Sequence, residues 1–195
     1  MIKEINYGVM RKYFFLLTFI FTLSFSAHAQ NDNSVYFYGV DFSEVKVIAA
    51  VESEQDFATA FSGINLLLIN EQDKYDFSRV MHKRLHVYPD NMIEESLSND
   101  YSNMKVYRYQ DNEIDINAKV KSYKLSQESG QGLVLIAQYL DKNHGTASYI
   151  AVLFDIATRQ VISHNKLTSK AGGFGLRNYW ARTVYNLTLR ESLFY

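Results

Sequence analysis

The sequence predicts an α+β domain, a mostly antiparallel sheet of four to five strands with helices packed mainly on one face. Three observations carry this. Leu133 to Leu140, Ser148 to Ile156 and Gln160 to Leu167 are strand-like runs joined by the short connections Asn143-His144-Gly145 and Ala157-Thr158-Arg159, as in an antiparallel meander. Val35 to Phe42 (VYFYGVDF) is aromatic and β-branched, apolar on both faces, and suits a central strand. Three other stretches repeat their apolar residues at helical spacing.

Taken in order, Glu44 to Ala50 continues the first strand after a bend at Asp41 to Ser43. Ser53 begins a helix, with Asp56 at the capping-box offset and Phe57, Phe61, Ile64 and Leu68 on one face until about Asn70. Gly63 within it permits close packing. Residues 75–104 are the least legible. Phe77, Val80 and Met81 suit a helical turn, and Leu85 and Val87 alternate as a strand would. Pro89 ends that strand, and Asp90 caps a short helix carrying Met92, Ile93 and Leu97. Ser98 to Met104 reads as a loop. Glu113 to Tyr123 is helical, with Ile116, Val120 and Tyr123 on one side. After the meander, Gly172, Gly173 and Gly175 break the last strand, and a helix to Ser192 presents Leu176, Trp180, Val184 and Leu187.

The N-terminus carries an address. Arg11 and Lys12, the apolar run Phe14 to Leu23 and the small-x-small triplet Ala27-His28-Ala29 are the three parts of a secretory signal peptide. Residues 1–29 are therefore read as a leader whose natural start is Met10, and residues 30–195 as a single exported domain, periplasmic or extracellular. The apolar run is shorter than the roughly 20 residues of a membrane-spanning helix, so no stable span is expected after cleavage. The sequence has no cysteine, which removes both disulfides and a lipoprotein anchor. The chain has 20 basic and 21 acidic residues, and losing Lys3, Arg11, Lys12 and Glu4 with the leader takes the net charge from −1 to about −3. That balance argues against nucleic acid as a partner.

No catalytic, cofactor or metal site is read from the motifs. His82 and His86 are four apart, but Lys83 stands where a zinc protease has glutamate. As strand residues they would lie roughly 13 Å apart, and zinc needs further ligands. AGGFGLRNYW leads glycines into a helix whose free amides could meet an anion, with Lys170 nearby, so Gly172, Gly173, Gly175 and Arg177 form a candidate ligand turn. It lacks the closing residues of a phosphate loop. No serine sits in a nucleophile elbow. Asp41 reads as a turn-former, Glu94-Glu95 as a solvated helix face, and Asn186-Leu187-Thr188 as a glycosylation match inside a helix. Tyr and Phe are abundant, at 15 and 13. Tyr36, Tyr38, Tyr139 and Tyr149 are the candidate partner-binding residues.

YFYGVDFSEVKV and GFGLRNYWA together resemble a group of uncharacterised exported proteins from Bacteroidetes-type bacteria, over nearly the whole mature chain. The three strands followed by a glycine-turn helix are also similar, at the level of fold, to small periplasmic α/β modules of envelope-assembly factors. Neither resemblance implies a catalytic residue. The expectation is a non-enzymatic envelope or secreted domain that binds a protein or peptide through its sheet edges or aromatic surface. The alternative is a small hydrolase or ligand-binding enzyme with its site at the Gly172–Arg177 turn.

Overall fold

The structure, a computed structural model, describes residues 34–109 and 113–194. The leader read in residues 1–29, and Met10 within it, lie outside these. Among the described residues no helix is long and apolar enough to cross a membrane.

Among the described residues seven strands form one sheet: β1 (Val35–Asp41), β2 (Lys46–Ile48), β3 (Leu85–Val87), β4 (Lys105–Val106), β5 (Gln131–Asp141), β6 (Thr146–Asp155) and β7 (Val161–Lys170). The helices are α1 (Glu54–Asn70), α2 (Ser78–Met81), α3 (Asp90–Ser98), α4 (Ile116–Ser122) and α5 (Leu176–Thr188). The expected mostly antiparallel sheet of four to five strands is corrected here. β1 to β5, ordered β3-β1-β5-β2-β4, all run parallel, and the fold is of α/β type. The antiparallel meander is confined to β5, β6 and β7. Parallel neighbours need long crossovers, and helices α1 to α4 lie in the connections between the parallel strands. The parallel half was hard to read because β2, β3 and β4 have only two or three residues each.

Placement of the helices on one face is also corrected. Leu133 and Leu135 of β5 pack with Phe57, Phe61, Ile64 and Leu68 of α1 and Trp180, Val184 and Leu187 of α5. The alternate residues Val134 and Ile136 pack with Val120 of α4, Met92 of α3 and Tyr38. Alternation puts these sets on opposite faces, so helices cover both. α1 starts as its sequence requires, since Ser53 and Asp56 close a reciprocal capping box. Helix α3 differs from expectation at its start: Pro89 occupies the N-cap, Asp90 is the first helical residue, and no side chain caps the turn.

β1 and β2 are two pieces of one line beside β5, separated by the turn at Phe42 to Val45. Gly39, at φ +88°, shifts the register of β1, and a Cβ there would lie 2.5 Å from Asn65 Oδ1. The bulge brings Val40 within reach of the buried Asn65 of α1. That amide accepts from Val40 N at 2.8 Å and donates to Val40 O at 2.9 Å, replacing a strand neighbour where β3 has ended.

Candidate functional site

Two places in the fold concentrate polar chemistry. The first is the break between β1 and β2. Asp41 is buried there at 1% exposure. Its Oδ1 accepts from Ser43 N (2.8 Å) and Ser43 Oγ (2.6 Å), and its Oδ2 accepts from the Tyr123 hydroxyl (2.7 Å). Lys119 of α4 lies 3.4 Å from Asp41 Oδ2 and 3.3 Å from Glu44 Oε1, and also donates to Ser43 Oγ. Burial works against the charge on Lys119, but Asp41, Glu44 and Glu95 together outweigh it and raise its pKa. Burial, then Asp41, pushes the Tyr123 phenol far up, so it stays a neutral donor. Beside this cluster is a cleft of about 400 Å³, lined in part by Tyr38, Glu95, Tyr123 and Lys124. Burial and the Asp41 charge raise the pKa of Glu95; of that pair Glu94 is exposed and Glu95 half-buried.

This arrangement is satisfied from within. Asp41 is shared among Ser43, Tyr123 and Lys119, and Ser43 Oγ lies between Asp41 and Lys119. Each polar group of the cluster has a partner within it. The cluster ties the break in the strand line to α4. One clue to it is legible in the sequence: Lys119 sits three residues after Ile116 and four before Tyr123, beside the apolar stripe of its helix.

The candidate tyrosines are mostly inside. Tyr38, Tyr139 and Tyr149 are buried. The Tyr38 hydroxyl donates to Gln127 Oε1 at 2.9 Å, Tyr149 shares a 2.6 Å hydrogen bond with Thr183, and Tyr139 packs on Tyr109. Tyr36 is half-buried, stacked on His86 and close to Tyr88. His82 caps α2 in a left-handed conformation, while His86 lies in β3. Among the described residues no three His, Cys, Asp or Glu are grouped to hold a metal ion. The glycine turn leads into α5 as expected, with Gly173 and Gly175 at positive φ. An open hollow of about 700 Å³ beside it holds several cations and one carboxylate, Glu71, which pairs with Lys74 at 2.7 Å.

The second place is the outer edge of β7. Among the described residues this ten-residue strand pairs only with β6. Ala171 N donates to Gly145 O across the end of that ladder. Odd-numbered residues therefore direct their backbone groups toward β6 and even-numbered ones outward, because direction alternates along a strand. Two side-chain bonds agree: Asn186 donates to Lys170 O (2.9 Å) and Arg190 to Thr168 O (3.2 Å). Asn186 of α5 and Arg190 beyond it thus cover the carbonyls at the C-terminal end of the edge. The backbone groups of His164 and Lys166 also face outward, where, among the described residues, no strand pairs with them. Both side chains are exposed, and Ile162 is 50% exposed. The sequence signal for an edge was present: from Ser163 to Lys170 the only apolar residue is Leu167.

No family model, curated protein or solved structure matches this chain.

Proposed function

We propose that this is an exported, non-catalytic domain that binds an extended peptide segment of a partner protein by adding it as a strand to β7. The outward, unpaired backbone of His164 and Lys166 is the observation that carries this reading. A sheet edge of this length supplies main-chain hydrogen bonds to an incoming strand, and alternate side chains supply selectivity. Lys166 fixes the chemistry of the partner. Like charges opposite one another across a strand pair repel, so pairing with another copy of the same edge is disfavoured. An acidic or neutral segment is accepted. The self-contained Asp41 cluster supports a binding rather than a catalytic reading, and the leader supports a partner in the envelope or outside the cell.

The test is selection from a library of ten-residue peptides, followed by Lys166→Pro. Proline removes an outward N–H and leaves the inward ladder untouched, as edge strands tolerate. Selected peptides should carry acidic residues and bind Lys166→Pro about tenfold more weakly. Equal binding to both proteins, or no selected peptide, contradicts the proposal.

A further inference from the structure

We infer that the turn between β7 and α5 docks on an anionic phospholipid surface. Phe174 is 95% exposed at the apex of Gly172-Gly173-Phe174-Gly175. The turn is held in place. Gly172 N donates to Tyr179 O at 3.1 Å, and Tyr179 N donates to Gly175 O at 2.9 Å. At Gly173, φ +106°, a Cβ would approach Asn178 O to 3.3 Å, so the backbone folds back against the first turn of α5. The phenylalanine ring is presented outward by a pinned backbone, and among the described residues it stacks on no other ring.

Cations from three parts of the chain converge around this ring. Lys74 follows α1, Lys170 ends β7, and Arg177 and Arg182 lie on α5; all four are exposed and line the same hollow. Glu71 is the single carboxylate there and is paired with Lys74. An anionic headgroup layer complements this charge at about 1 kcal/mol per Lys or Arg near the surface. An aromatic ring at the apolar boundary adds buried area. A free phosphate fits the hollow less well. It would engage the cations without using Phe174, and the cations stand on exposed side chains around an open space.

The experiment is co-sedimentation of the exported protein with phosphatidylcholine vesicles, with and without phosphatidylglycerol. Binding is expected only with phosphatidylglycerol, and it should weaken as salt screens the charges. Lys170→Gln and Arg177→Gln should each lower affinity about fivefold. Phe174→Ser should lower it further without shifting the melting temperature, because the ring is exposed. Failure to sediment with anionic vesicles overturns the inference. So does unchanged binding by Phe174→Ser, or displacement by soluble glycerophosphate that matches the wild type in that variant. Because β7 residues His164 and Lys166 are untouched, peptide binding is read independently.

Discussion

The sheet has two edges, and they are built in opposite ways. On one side the edge is β3 and β4, three and two residues long. Between them, groups that a strand would have paired are met by other partners. Tyr88 N donates to Phe37 O at 2.8 Å, and Asn65 satisfies both Val40 N and Val40 O. On the other side the edge is β7, with ten residues, covered among the described residues at the carbonyls of Lys170 and Thr168 by Asn186 of α5 and Arg190 beyond it. Proteins commonly blunt their edges with short strands and covering segments. The first edge follows that practice. The second does so at one end only, and the contrast is why we place binding there.

Substitutions on each side put this contrast to the test. The largest effect is expected at the helix that closes part of β7. Trp180 is fully buried between α5 and the sheet, and Trp180→Ala should cost about 3–5 kcal/mol by chemical denaturation. Amide exchange along α5 should rise with it. On the short edge, Lys119→Met leaves Asp41 buried without its cation and should cost about 3 kcal/mol. Asn65→Ala leaves the Val40 backbone groups unpaired in the interior, for about 2 kcal/mol.

The sequence disclosed these two sides unequally. The strands and turns of the meander are long, and each run announced itself through alternation and through Asn143-His144-Gly145 or Ala157-Thr158-Arg159. The helix at Ser53 was legible because capping is local, with donor and acceptor three residues apart. The parallel half depends on contacts between distant segments. Val35 pairs with both Leu85 and Gln131, and Val47 with Lys105 and Leu140. Two-residue β4 leaves no periodicity to detect. Nor could Asp41, Lys119 and Tyr123 be assembled from spacing, because 76 residues separate Ser43 from Lys119. The abundance of tyrosine pointed to a surface, yet Tyr38, Tyr139 and Tyr149 serve the core.

A smaller effect follows from pH. Glu95 has its pKa raised above the ordinary 4.5 by burial and by Asp41. The native state therefore holds this proton more tightly than the unfolded chain. Stability falls as pH rises from the unfolded value through the raised one. Glu95→Gln should remove that fall, seen as a flatter melting-temperature profile in the acid range. Lys119 acts at the other end. Its raised pKa gives a contribution present in full below about 10.5 and lost as pH climbs through the higher folded value.

The most direct test of the open edge is amide hydrogen exchange on β7, with and without a selected acidic peptide. The account predicts that His164 and Lys166 exchange fast in the free protein, while inward-facing Asn165 and Leu167 are protected by β6. Peptide should slow His164 and Lys166, and Lys166→Pro, which keeps the ladder to β6, should abolish the slowing at His164. Slow exchange of both amides in the free protein, or peptide protection that appears elsewhere and survives Lys166→Pro, would contradict it.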